Sequence, residues 1–239
     1  LSRLYGIFFA LSIYLYNYIY DKNRFYILGV IFVLVETLIF LSGERASFFY
    51  INLSSIFIII LIKDYKVFRI MIMVSAFIMI SFITLINDNA KSRIIDQTIT
   101  QMNLDSNLRL KVFSQHHEDH YLSALRMFKD NKLLGVGVKN FRNYCDLDKY
   151  KINETSCATH PHNTYIQILT EIGIIGFLFI FSLLIFFVSN VIKHLFMSFK
   201  YKKRYHFNGF EVCLLSAIAI TLWPVVPTGN FFNNWLNII

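Results

Sequence analysis

The densest chemistry in the chain lies at His160-Pro161-His162-Asn163, which runs directly into Thr164-Tyr165-Ile166-Gln167-Ile168-Leu169-Thr170-Glu171 and then Ile172-Gly173-Ile174-Ile175-Gly176. A neutral imidazole takes a proton near neutral pH, so His162 suits a general base that activates a hydroxyl. The same residues also fit a plainer reading, an interfacial histidine ahead of a helix capped by Asn163 or Thr164, with Gly173 and Gly176 letting a neighbouring helix approach. A second group with chemical potential is Arg45, in Ser42-Gly43-Glu44-Arg45. Its guanidinium stays charged and grips phosphate oxygens in a fork, although an arginine ending a span can simply snorkel to the headgroups. Glu36 interrupts an apolar run, where a carboxylate is costly, and is expected to face a bundle interior or a partner. Glu171 sits about two turns into the helix that starts at 164 and is expected to orient a neighbouring group or make a structural hydrogen bond.

Metal chemistry is weighed on His116-His117-Glu118-Asp119-His120. His117 and His120 stand one residue short of the four-residue spacing of a helical zinc pair; His116 and His120 have it, but Glu118 points off their shared face, and His160 and His162, flanking Pro161, could chelate with these. No metal and no cofactor is expected. No glycine-rich loop ending in Lys-Ser/Thr is present to cradle a nucleotide. Cys145 and Cys157 fall in the long polar stretch and Cys213 in an apolar run. In an oxidising compartment Cys145 and Cys157 are expected to pair, closing a short loop ahead of His160; the alternative is two free thiols.

The elements that must position these residues are read from composition and hydropathy. Apolar residues make up 56% of the 239, aromatics 17% and charged residues only 16%, with mean hydropathy +0.51. That is a membrane composition. Three prolines and nine glycines leave long helices uninterrupted, and no alternating pattern supports a barrel. Apolar runs of spanning length, roughly 17–25 residues, lie at 4–20, 25–42, 46–62, 67–86, 164–192 and 210–227. The fold class expected is therefore all-α, a multi-spanning transmembrane bundle. Residues 1–86 hold four spans, 87–163 form one large polar loop, and 164–239 hold two further spans and the start of a third interfacial or spanning segment.

Basic residues cluster in the connections at 21–24, 63–66 and 193–206, which face the cytoplasm by the positive-inside rule. Alternation then puts Ser42–Arg45 and the loop 87–163 on the opposite face. The net charge of +8 is explained by this placement, with Lys200-Tyr201-Lys202-Lys203-Arg204 an anchor on anionic headgroups, and not by nucleic acid. Within the loop, Leu122, Leu125, Met127 and Phe128 recur at near-helical spacing, which predicts a helix over 114–132 ending ahead of Gly135 and Gly137. After the sixth span, Pro224 and Pro227 precede an aromatic, amide-rich segment over 228–235 that either lines a sugar path or sits among headgroups. The chain opens on Leu1 and ends inside an apolar stretch at Ile239, and it is expected to be a piece of a larger protein.

His162-Asn163, nine residues, Gly173, two residues, Gly176 resembles the signature segment of the bacterial O-antigen ligase and O-antigen polymerase superfamily. Ser42-Gly43-Glu44-Arg45 resembles that family's arginine-bearing segment, and Met127-Phe128-Lys129-Asp130-Asn131-Lys132-Leu133-Leu134-Gly135-Val136-Gly137 with Phe141 resembles its loop motif, except that Lys132 stands where a proline is common. The resemblance implies a metal-independent glycosyltransferase at the periplasmic face of the bacterial inner membrane. It would move a glycan from undecaprenyl-pyrophosphate to an acceptor sugar hydroxyl, by single displacement with inversion. The acceptor is lipid A core for a ligase, the first reading in lipopolysaccharide biosynthesis, or a second lipid-linked glycan for a polymerase. In these roles His162 removes the acceptor proton and Arg45 and Arg109 hold the pyrophosphate, with Arg126 and Arg142 as rivals for the second arginine. Asn163 and Glu171 stand beside the substrate, and Gly135, Gly137, Gly173 and Gly176 shape the motif. A transporter or flippase of lipid-linked sugars and a non-catalytic assembly subunit are the readings from other functional classes.

Overall fold

A computed structural model describes residues 22–63, 65–102, 113–200, 206–224 and 227–233. The expected first span at 4–20 and Arg109 lie outside the described residues. The described elements are helices: α1 Lys22–Ser42, α2 Arg45–Leu61, α3 Lys66–Ile86, α4 Asp88–Lys91, a π-helical stretch Ser92–Asp96, α5 Gln97–Gln101, α6 Gln115–Asp130, α7 Phe141–Tyr144, α8 Thr164–Lys200 and α9 Gly209–Thr221. No strand occurs among the described residues. The predicted loop helix over 114–132 is α6. Among the described residues two helices, α3 and α8, are long and apolar enough to cross a membrane, and Tyr26–Ser42, Arg45–Leu61 and Gly209–Thr221 are shorter apolar helices.

The chain divides into two compact units, Leu1–Thr100 with Val191–Thr221, and Gln101–Asn190 with Leu222–Ile239. In the first, α1, α2 and α3 bury Phe32, Ile39, Ile51 and Ala76 together, while Ile58 and Leu61 of α2 and Ile62 just after it pack on Val212 and Cys213 of α9. The opposite faces stay apolar and uncovered: Val67, Ile78 and Leu85 of α3 are exposed, as expected of helices meeting lipid. Polar groups inside this unit are few. Glu36 is fully buried, so it faces the interior, with the Asn52 side chain as its polar neighbour. His194 is buried and its tautomer is fixed: Nδ1 accepts from the Phe207 N–H at 3.1 Å, so Nε2 donates to the Leu61 carbonyl at 2.9 Å.

The second unit is built on different lines. Helix α6 buries Tyr121, Ala124 and Met127 and turns Leu122 and Arg126 outward. Ala124 and Met127 join Phe141, Cys145 and Tyr150 in a small core, against which Cys157, Ala158 and Ile166 pack. Cys145 and Cys157 form a disulfide with their Cα atoms 5.0 Å apart, joining the end of α7 to the segment that leads to His160.

Helix α8 is not continuous. Gly173 has φ 69° and ψ −168°, which breaks the helical ladder. The sequence reading of Gly173 as a small residue admitting a neighbouring helix is therefore corrected: what approaches it is loop backbone. The Thr170 carbonyl, whose helical partner would be the Ile174 N–H, accepts from Val136 N–H at 2.9 Å; Glu171 accepts from Gly137 N–H at 2.9 Å; and Ile174 N–H donates to the Lys132 carbonyl at 2.8 Å. A Cβ on Gly173 would collide with the Leu133 carbonyl, and one on Gly135 (φ 69°) would lie 2.5 Å from the Glu171 carbonyl carbon. Both positions thus need glycine for its conformation and for its missing side chain. Gly137 (φ 95°) needs it for conformation, whereas a Cβ on Gly176 would meet only the side chain of Ile172.

Candidate active site around His162

The second unit positions His162 from three directions. Asn163 caps α8: its Oδ1 accepts from Tyr165 N–H at 3.0 Å and Ile166 N–H at 3.1 Å, and its Nδ2 donates to the Pro224 carbonyl at 2.8 Å. The entry into this cap holds His162 at φ 59°, a left-handed conformation that non-glycine residues adopt only when their surroundings impose it. The constraint is visible, since the His162 carbonyl accepts from Thr228 N–H at 2.8 Å. Thr228 also meets Thr164, hydroxyl to hydroxyl, at 3.0 Å.

Around the His162 ring stand three more imidazoles. His160 lies 4.1 Å away between ring centroids, His120 5.4 Å away and stacked, and His117 5.4 Å away edge-on. The His160 ring is fixed at both nitrogens: Nε2 donates to the Thr228 carbonyl at 3.1 Å, so Nδ1 accepts from the Thr159 hydroxyl at 2.9 Å. His117 Nδ1 meets the Ser114 hydroxyl at 2.7 Å, while His120 is buried with its Nδ1 unbonded.

The electrostatic result is a neutral base. Burial, and then the neighbouring His160, His117 and His120, push the His162 pKa down to about 4. His160 is also lowered by burial, against the pull of the Thr228 carbonyl and the Glu171 carboxylate. His120 is lowered by burial and by His116. Asp119, one residue before His120, goes the other way for a carboxyl that is out of solvent. Burial raises it, but hydrogen bonds from Asn153, Thr155 and Gln115 outweigh burial and hold it below the usual range.

Glu171 closes the frame. It is fully buried; Oε1 accepts from Phe141 N–H at 3.1 Å and Oε2 from Gln167 Nε2 at 3.0 Å. Gln167 in turn donates to Asn230 Oδ1 at 2.8 Å and accepts from Phe231 N–H at 2.9 Å. Asn163 and Glu171 therefore spend their polar atoms on the protein's own backbone and side chains. Of the segment after Pro227, Thr228 and Asn230 are buried within this network.

The arginines are distributed. Arg45 opens α2 in the first unit, two residues after the left-handed Gly43, over which the Arg93 side chain lies. Arg126 donates to the Lys151 carbonyl at 2.8 Å, and Arg142 is exposed, with its charge felt at His160. Among the described residues no three His, Cys, Asp or Glu side chains converge with the geometry of a metal site. The sequence reading joins His160 and His162 to these histidines only as candidate chelators, whereas the structure sets the rings of His117 and His120 against His162. Their separation of three, which puts both on one helical face, is the signal for it.

No curated protein and no solved structure matches the chain. A family model described as O-antigen ligase matches residues 28–181, which run from within α1 through the loop, the cap and the break in α8. The chain belongs to the O-antigen ligase family, membrane enzymes acting on lipid-linked glycans.

Proposed function

We propose that this chain is the catalytic part of an O-antigen ligase, transferring a glycan from undecaprenyl-pyrophosphate to a sugar hydroxyl of lipid A core at the periplasmic face of a multi-spanning inner-membrane bundle. The observation that carries the reading is the pinned, neutral His162 in its polar frame. As the acceptor oxygen attacks the anomeric carbon, its proton passes to His162 and the bond from that carbon to the pyrophosphate oxygen breaks. Inversion follows from the single displacement. The negative charge gathers on the departing undecaprenyl-pyrophosphate, where Arg45 and a second arginine, Arg109 or Arg142, hold the phosphate oxygens in charge-assisted hydrogen bonds. His162 then gives its proton to water. Asn163, Glu171 and the motif glycines act by holding His162 and the neighbouring backbone.

The polymerase reading uses the same donor and differs in acceptor, so one experiment addresses both. Purified full-length protein is incubated with lipid-linked oligosaccharide and either lipid A core or a second lipid-linked glycan. Extension of the core supports the ligase, and extension of the lipid-linked glycan transfers the assignment to a polymerase. His162→Ala is expected to lower either transfer by about 100- to 10,000-fold. Full transfer by a stably inserted His162→Ala variant overturns the mechanism, and movement of the donor between leaflets with no new glycosidic bond overturns the enzyme in favour of a flippase.

A further inference from the structure

The turn between α6 and α7 carries apolar side chains that its own unit leaves uncovered. Leu133 is 67% exposed and Leu134 72%, with Val138 also exposed, and Lys132 and Lys139 flank them on the surface. Such a pair at a loop tip leaves contiguous apolar surface against water, which burial in an apolar medium would relieve. The turn is not free to fold its leucines inward. The three backbone hydrogen bonds to Thr170, Glu171 and Ile174 clamp it to the break in α8, and the contact between Gly173 and the Leu133 carbonyl fixes its depth.

That depth is informative. Beyond the break, Ile175, Leu178 and Phe179 are exposed on α8, and the apolar stretch from Ile174 to Ile192 is roughly 19 residues, about 28 Å at the helical rise, enough to cross a hydrocarbon core. The turn is bonded to the first residue of this stretch. Its leucines are therefore level with the point where the spanning helix enters the bilayer, and its two lysines are placed where lipid phosphates would be.

We propose that the turn at 131–139 is a membrane wedge, with Leu133, Leu134 and Val138 inserted among the acyl chains of the leaflet that α8 enters at Gly173 and Lys132 and Lys139 on the phosphates of anionic phospholipids. The wedge continues the lipid-facing surface of α8 sideways and ties the loop carrying the histidine cluster to a fixed height above the bilayer. It rests on α8 spanning the membrane from its break, and it adds the lipid contact of a loop to that reading.

The test places a reporter at Leu134 in the full-length protein, reconstituted into vesicles of phosphatidylethanolamine and phosphatidylglycerol. Leu134→Trp, at an exposed position, is compared with Leu178→Trp on the span and with the unsubstituted protein, using lipids brominated at successive depths and aqueous iodide as quenchers. The expected result is a blue-shifted signal at 134 that bromolipids quench and iodide does not, at a depth of about 5–10 Å, shallower than 178. Removing phosphatidylglycerol should move the 134 signal toward the water-exposed value, as should Lys132→Gln with Lys139→Gln. Lipid quenching at 178 together with iodide quenching at 134, or with protection of 134 from both quenchers by a protein partner, overturns the wedge and leaves the span standing. Lipid quenching at neither position overturns both.

Discussion

Arg45 and His162 carry the cation and the neutral base that the proposed reaction needs, and their surroundings differ in kind. Arg45 stands at the first turn of an apolar helix whose Glu44 cap makes no side-chain hydrogen bond, in a unit held by Phe, Ile and Ala contacts. His162 stands on backbone pinned by Thr228 and Asn163, within a web of side-chain hydrogen bonds running through His160, Gln167 and Glu171. The difference follows from the tasks. A guanidinium on a long side chain acts through a charge that reaches phosphate from a range of positions. A general base must lie within hydrogen-bond reach of one proton, where a misplacement of about 1 Å costs on the order of 100-fold. Polar scaffolding is concentrated where the tolerance is smallest.

The largest expected effect tests whether these two regions serve one step. If they do, the loss in the doubly substituted His162→Ala, Arg45→Ala protein falls well short of the product of the two single losses, because groups acting as a unit are non-additive. Initial rates of transfer for the four proteins decide it, and strictly multiplicative losses would break the comparison into two unrelated sites.

A smaller effect is expected from the scaffold. Gly173→Ala should destabilise the protein by about 3 kcal/mol, from left-handed strain and collision with the Leu133 backbone. Gly176→Ala should cost clearly less, since Ile172 can change rotamer. Thermal unfolding in one detergent ranks them, and equal melting temperatures would remove the break from the account.

The smallest effect is a displacement along the pH axis. An ordinary histidine base loses half its activity near pH 6.5; with His162 held neutral down to about 4, kcat/KM should stay level through pH 6 and fall only toward that value. The folded pKa lies below the unfolded one, so the unfolded chain binds the proton first. Stability accordingly drops as pH falls between about 6.5 and about 4. Replacing His117 and His120 by Gln should move the acidic limb upward, and an unmoved limb would show that the cluster leaves His162 alone.

Much of this was legible in the sequence, for physical reasons that also explain the rest. The helices follow from apolar runs and spacing, so α2, α3 and α6 lie close to their expected ranges, while α9 ends at Thr221, ahead of the expected end at 227. The Asn163 cap is a local preference, readable from one residue and its followers. The break at Gly173 was not legible, because a glycine in an apolar run looks the same whether a helix or a loop lies against it, and only the backbone bonds to Lys132, Val136 and Gly137 decide. Residue types alone suggest that His117, His120, His160 and His162 could meet, as chelators, but the ring-on-ring packing of His117 and His120 against His162 depends on tertiary contacts outside their own helix. Thr228 and Asn230 read as interface or path-lining residues because their partners, His160, His162 and Thr164 for Thr228 and Gln167 for Asn230, are far away in sequence.

The facing glycines at 135 and 173 also predict which genetic repairs can exist. A bulky residue in a packed core is often relieved by trimming the side chain it strikes, but here each added Cβ strikes peptide backbone, which no second substitution shortens. Suppressors of changes at either glycine should therefore be scarce among point mutations, and should arise instead as insertions or deletions that reset the length of the chain between Asp130 and Phe141.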